Sequence, residues 1–249
     1  MHVLATWNVL HRIHAENWAE PAIAAHPDER VRIAAIAERI ATVLVPSCAA
    51  VCLQEVSSDQ LVALRRALPA SVQVFASAYP RIPQPFRPGA TSPLDDPTEY
   101  LATVVTANPA RELDAAAFPS DGGKGYLAVE LVGDGLIVIN THVSFGERHA
   151  DQCAALAVVA RRLAHRPGAR AALLGDFNAD RDTIIAALGP DFVAAELPAD
   201  SIPTRPRGEP NARSQDIDHV IGLGGTPRGA RVIPALGLSD HNIVEAQVD

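Results

Sequence analysis

The sequence predicts an α/β protein on two observations. Short apolar runs bounded by Gly, Pro and Asp recur along its 249 residues, and several alternate with stretches of helical period. The first run, residues 3–7, reads as a strand. Ile33, Ile36, Ala37, Ile40, Val43 and Leu44 then share one face of a helix. A strand over 50–54 follows, and Leu61, Leu64 and Leu68 repeat the helical spacing behind Ser57 and Ser58, two candidate N-caps. A proline-rich stretch (Pro80, Pro83, Pro85, Pro88, Pro93, Pro97) leads to strands over 101–106, 126–132 and 136–141. The last two are joined by Val132-Gly133-Asp134-Gly135-Leu136, whose glycines and aspartate tolerate the positive φ of a tight turn. A helix over 148–164 and a strand over 171–175 precede a second proline-rich stretch (Pro203, Pro206, Pro210). Strands over 219–222 and 243–248 close the pattern. No internal repeat, linker or low-complexity tail divides the chain, so one domain over 1–249 is expected. Arg81, Arg87, Arg205, Arg207 and Arg213 lie in or beside the proline-rich stretches, which read either as ordinary surface loops or as loops facing a substrate.

Composition narrows the function classes. No apolar run approaches the roughly 18–20 residues of a spanning helix, so a protein without membrane contact is expected. The chain opens on apolar Val3-Leu4-Ala5 with neither a basic leader nor a small-residue cleavage site, which points to the cytoplasm. Cys48, Cys52 and Cys153 are an odd number in a long chain, no disulfide framework, and Cys52 in Ala50-Val51-Cys52-Leu53 reads as a small buried hydrophobe rather than a metal ligand. The net charge is −8, and Lys124 is the one lysine among the basic residues. With no basic tail or run, bulk electrostatics does not advertise capture of long duplex nucleic acid.

Short polar groups sit at the ends of expected strands, where a rigid sheet holds side chains still. They are Asn8 in Thr6-Trp7-Asn8-Val9-Leu10, Glu55 in Leu53-Gln54-Glu55-Val56, His142 in Asn140-Thr141-His142-Val143, Asp176 and Asn178 in Gly175-Asp176-Phe177-Asn178, and Asp240-His241 after Ser239. Singly each has a plain alternative: a helix cap, a solvated carboxylate, an Asx-turn at Asp176, a polar loop at Asp240. Together they meet one chemical demand. Hydrolysis of a phosphate ester needs a hard cation, a positioned water, and donors for the equatorial and leaving oxygens. Glu55, Asn8 and Asp240 are oxygen ligands suited to Mg²⁺, with Mn²⁺ as a substitute. Asp176 can orient and deprotonate water, Asn178 can donate its amide to a phosphate oxygen, and the two histidines can donate to developing charge. A zinc-type His/Cys cluster and a Gly-rich phosphate loop followed by Lys are both missing from the sequence, which argues against zinc hydrolases and P-loop enzymes.

In order and spacing these motifs, with Ile217-Asp218-His219 added, resemble the endonuclease/exonuclease/phosphatase superfamily across residues 3 to 248. The resemblance implies a four-layer αββα sandwich, two mixed β-sheets face to face with helices outside, and a site at one rim of the sheets. It implies metal ligation by Asn8 and Glu55 with Asp240 beside the metal, a phosphate contact and leaving-group role for His142, water positioning by Asp176, and a phosphate contact for Asn178. Asp218 would pair with and orient His241, and Glu99, opening Glu99-Tyr100-Leu101-Ala102, would stand against His142. Arg181, His219 and Asn242-Ile243 depart from residues common in the family, and His142 leans away from apurinic endonucleases. Trp7-Asn8-Val9-Leu10 followed by Trp18, Arg30 and Ile33 looks like the deadenylase/nocturnin pattern, although Trp18 and Arg30 also read as mere cover for the first helix.

The expected activity is Mg²⁺-dependent hydrolysis of a phosphate mono- or diester, and the expected partners are a phosphorylated small molecule, a nucleotide or a short single-stranded nucleic acid. No obligate protein partner is inferred. A nuclease acting on RNA or DNA is the alternative, and a non-catalytic binding module with the same fold is the third reading.

Overall fold

The computed structural model describes residues 1–87, 89, 92–107, 109–207 and 215–249. Pro88, Pro210 and Arg213 lie outside the described residues. In chain order the elements are β1 (His2–Asn8), α1 (Arg12–Trp18), α2 (Pro21–Ala25), α3 (Glu29–Arg39) running into a π-turn (Ile40–Leu44), β2 (Ala50–Ser57), α4 (Ser58–Ala67), β3 (Gln73–Ala78) and β4 (Glu99–Val105). The second half carries β5 (Ala110–Phe118), β6 (Asp121–Leu131), β7 (Leu136–His142), α5 (His149–Leu163), β8 (Arg170–Asp176), α6 (Arg181–Leu188), β9 (Phe192–Ala194), β10 (Asp218–Leu223), β11 (Arg228–Ile233) and β12 (Ile243–Val248).

Among the described residues the strands form two six-stranded sheets, ordered β11-β12-β1-β2-β4-β3 and β5-β6-β7-β8-β10-β9. Each has one parallel pair at its middle, β1 with β2 and β7 with β8, and antiparallel pairs elsewhere. Leu4, Cys52, Leu101, Val129, Val138, Leu174 and Val244 fill the space between the sheets. Ala5, Val51 and Leu53, which alternate with them, pack outward on Ile36, Ile40 and Leu64 of the α3–α4 layer. Ile137, Ile139 and Leu173 pack outward on Cys153, Leu156 and Ile184 of the α5–α6 layer. Strands apolar on both faces read as continuous hydrophobic runs, which is why the central strands were predictable. The architecture is thus the expected four-layer sandwich.

The four strands the sequence did not announce, β3, β5, β9 and β11, are the outer strands of the two sheets. Their faces are partly solvated, so no apolar run marks them. Two helical details also differ. Ser57 alone is the N-cap of α4, in a capping box with Gln60, and Ser58 is the first helical residue. Val43, expected on the buried face, is exposed, because the Val45 N–H bonds to Ile40 O in the wider π-turn and rotates the following side chains.

The parallel pairs place the site. β1 ends with Asn8 beside Gln54 at the edge where β2 bulges at Glu55, and β7 and β8 end together with His142 and Asp176 in register. β10 runs antiparallel to β8, so its first residue, Asp218, stands opposite Asp176. Beneath the rim Gln54 Nε2 donates to Asn140 Oδ1 at 2.7 Å, and Asn140 Nδ2 donates to Leu53 O and Ala102 O, a buried polar bridge that fixes one sheet against the other. Close strand approach explains Gly175: a Cβ there would collide with the Thr141 carbonyl oxygen on β7. Gly175→Ala is expected to cost roughly 1–3 kcal/mol of stability, read as a lower midpoint in denaturant unfolding.

Candidate functional site

Two site residues are held in left-handed backbone, where non-glycine side chains are uncommon: Glu55 at φ 58° and Asn178 at φ 53°. Glu55 occupies a bulge between Leu53 and Val56 against β4, which breaks the alternation of β2 and turns its carboxylate into the rim. Asn178 follows the turn closed by its own N–H on Asp176 Oδ1 at 2.9 Å, so the Asx-turn exists and aims the Asn178 amide at Val143 O and the His142 ring.

The polar groups meet in one chain of contacts. Asn8 Nδ2 donates to Glu55 Oε1 and to Asp176 Oδ2, both at 3.1 Å. Asp176 Oδ2 lies 3.3 Å from His142 Nε2 and 3.7 Å from His241 Nε2, so one buried carboxylate stands between two buried imidazoles. His241 Nδ1 is 2.8 Å from Asp218 Oδ2, the pairing expected from sequence. The ring is further set by Trp7, whose indole N–H donates to His241 O, and by Ser239, whose hydroxyl accepts from His241 N and donates to Asn8 O. These contacts give Trp7 and Ser239 positioning roles that their motifs alone did not reveal.

Electrostatics follow from burial and neighbours. Burial pushes His241 toward neutrality, but Asp218, Asp240 and Asp176 outweigh it and raise the ring to about 10, so it is an imidazolium at neutral pH. Burial opposes ionisation of Asp176, yet His241, His142 and Lys124 hold it well below the usual carboxylate range. Glu55 is held down in the same way by His14, Lys124 and His142.

One expected contact is corrected. Glu99 does not meet His142; its Oε2 lies 3.3 Å from His14 Nε2, because α1 follows β1 directly and turns His14 over the start of β4. His142 is instead contacted by Lys124, whose Nζ is 2.9 Å from Nδ1. Sequence reasoning missed both His14 and Lys124; the His11-x-x-His14 spacing after Asn8, and a single lysine behind Gly122-Gly123, were the available signals. Asn8 presents its amide nitrogen to Glu55 and Asp176 while its Oδ1 accepts from Leu10 N, so it bridges the two carboxylates. Asp240 Oδ2 accepts from Arg205 Nε at 2.9 Å, while its Oδ1 has no hydrogen-bond partner.

A sequence model of the Endonuclease/Exonuclease/phosphatase family matches residues 5–241. The chain belongs to this family. A search of curated protein sequences finds no significant match. Among solved structures it is similar to the mannosyl-6-phosphatase Bt3783 of Bacteroides thetaiotaomicron, at 14% identity and TM-score 0.70 with 100% of each chain covered. It is similar to TDP2 from C. elegans, at 16% identity and TM-score 0.67, covering 99% of this chain and 74% of that one. A D. rerio TDP2 complexed with a single-strand DNA product matches at 15% identity and TM-score 0.66, covering 99% and 98%.

Endonuclease/Exonuclease/phosphatase proteins are hydrolytic phosphoesterases, and their fold is generally dependent on a divalent metal. Acidic groups of this chain suit one. His14, Glu55 and Glu99 offer ligand atoms close enough to share an ion, as do Asp176, Asp218 and His241. Glu99 Oε1, Asp218 Oδ1 and Asp240 Oδ1 are buried carboxylate oxygens without a hydrogen-bond partner, which is the condition a hard cation relieves. Glu55, Asp176, His142 and His241 open into a cleft of about 930 Å³ whose walls include Arg81, Arg205 and Arg207. The proline-rich stretches therefore do face the cleft at those positions. Trp18, at its lip, is 64% exposed and packs edge-on to Phe86, so it does not merely cover a helix. Among the described residues no helix is long and apolar enough to cross a membrane.

Proposed function

We propose that the chain is a Mg²⁺-dependent phosphoesterase that hydrolyses a phosphate mono- or diester of a nucleotide, a short nucleic acid or a phosphorylated small molecule, with Mn²⁺ as a substitute cation. One observation carries this reading: two buried imidazoles flank the single carboxylate of Asp176 at a rim already rich in hard oxygen ligands. Glu55 is the residue to hold the cation, with Asp240 Oδ1 at its side and Asn8 fixing the Glu55 carboxylate. When bound, a divalent cation withdraws charge from the phosphate oxygens.

The chain's own groups supply the rest. Asp176, held ionised, orients the attacking water and takes its proton. His241, kept as imidazolium by Asp218, donates to charge building on the phosphate. His142 contacts the phosphate and stabilises or protonates the leaving oxygen. Asn178 adds an amide donor, and Lys124 brings a positive charge beside His142. The buried thiols of Cys48, Cys52 and Cys153 suit a reducing compartment, so the cytoplasm is the location this reading expects.

A nuclease is the second reading within the same chemistry, favoured by the size of the cleft and by similarity to a structure holding a single-strand DNA product. The similarity to a sugar phosphatase favours a small monoester. Incubation with nucleoside monophosphates, sugar phosphates, single-stranded RNA and single-stranded DNA separates them. Inorganic phosphate without shortened oligomers marks a phosphatase; shortened oligomers mark a nuclease. Turnover is expected to stop with EDTA and return with Mg²⁺ or Mn²⁺. Inactivity across the panel with both cations would sink the enzymatic reading.

A further inference from the structure

On one wall of the cleft Asp121, the first residue of β6, collects four donors. Its Oδ1 accepts from Gly123 N at 3.0 Å and from Arg81 Nη1 at 3.0 Å, and its Oδ2 accepts from Ser144 Oγ at 3.0 Å and lies 3.5 Å from Arg148 Nη1. The carboxylate is 8% exposed, whereas the Arg81 and Arg148 side chains are 54% and 57% exposed. One buried anion therefore anchors two guanidiniums that lean into open cleft.

Arg81 is fixed from two further directions. Its backbone N–H bonds to Gly122 O at 3.1 Å, which pins the proline-rich loop to β6. Its guanidinium lies over Gly123, where any Cβ would collide with it. The glycine thus makes room for the arginine. Three positions after Asp121 on the same strand, Lys124 carries positive charge on to His142. The cleft's Arg205 and Arg207 differ, since both are drawn onto Glu20, and Arg205 also onto Asp240. In a chain of net charge −8, two guanidiniums sharing one carboxylate in a substrate cleft are a local cationic excess.

We propose that Arg81 and Arg148, splayed by Asp121, form a second anion subsite that binds a further phosphate group of the substrate beside the reacting one. The planar, multi-donor guanidinium matches phosphate geometry, and anchoring removes part of the ordering cost of two long side chains. The inference rests on the phosphoesterase reading and narrows it to substrates carrying at least two phosphates.

The test sets adenosine 3′,5′-bisphosphate and fructose 1,6-bisphosphate against 5′-AMP and fructose 6-phosphate. Binding is measured by calorimetry on an Asp176→Asn background, which prevents turnover from consuming the probes. At least one bisphosphate should bind the parent more tightly than its monophosphate. Arg81→Ala with Arg148→Ala should weaken that bisphosphate by at least about tenfold and leave the monophosphate within about twofold. Gly123→Ala, which displaces Arg81 without removing its charge, should weaken the same probe selectively; circular dichroism checks that each variant is folded. Equal affinity of the parent for both members of each pair, or equal losses on both, overturns the subsite. Should the wild type hydrolyse nothing while the selective binding loss persists, the phosphoesterase reading fails and the subsite stands.

Discussion

Asp176→Asn is expected to lower turnover by about 10² to 10⁴-fold, the usual contribution of a positioned general base, and to lower the thermal midpoint while leaving the protein folded. Asparagine keeps the size of the side chain, but its single amide oxygen can accept from Asn8 Nδ2 or from Asn178 N, not from both. The substitution removes the capacity to accept a proton. It also removes the charge that lies 3.3 Å and 3.7 Å from the two imidazoles. The measurement pairs steady-state kinetics on the best substrate of the panel with a melting curve. A variant that is stable and within a few fold of the parent would show that Asp176 does not act on the water.

His241→Ala should cost about 10²-fold or more, on the scale of a transition-state donor lost from a preorganised site. The ring is buried, raised to about 10, and oriented through Asp218, so it enters the reaction already protonated and aimed. His142→Ala should behave differently with the leaving group. If His142 assists the departing oxygen, its removal should hurt an alkyl phosphate much more than p-nitrophenyl phosphate, whose leaving group needs little help. The His241→Ala loss should be similar on both. Equal, small losses for either histidine on either substrate would exclude them as donors.

How legible the molecule was depended on where each residue lies. The central strands carry apolar side chains on both faces and could be read as runs, and their polar last residues marked the site because a buried strand that ends in Asn, Glu, His or Asp is chemically incongruous. The outer strands β3, β5, β9 and β11 are half in water and carry no such mark. His14 and Lys124 were missed for a related reason: neither ends an apolar run, and both reach the site only through tertiary geometry. The partner of Glu99 was misjudged because strand ends can be placed by sequence on a common rim, while the choice between two nearby histidines depends on how α1 leaves β1. The amide of Asn8 turns its nitrogen toward the carboxylates because Leu10, in left-handed backbone, directs its N–H at Oδ1, a contact that no residue pattern announces.

The parallel pair in each sheet bears on how the protein comes to be active. Asn8 meets Glu55 across 47 positions of chain, and both must then meet Asp176 and His241 from the far half of the chain, so long loops close before the site's carboxylates and imidazoles come together. Recovery of turnover during refolding is therefore expected to lag behind the return of helical signal.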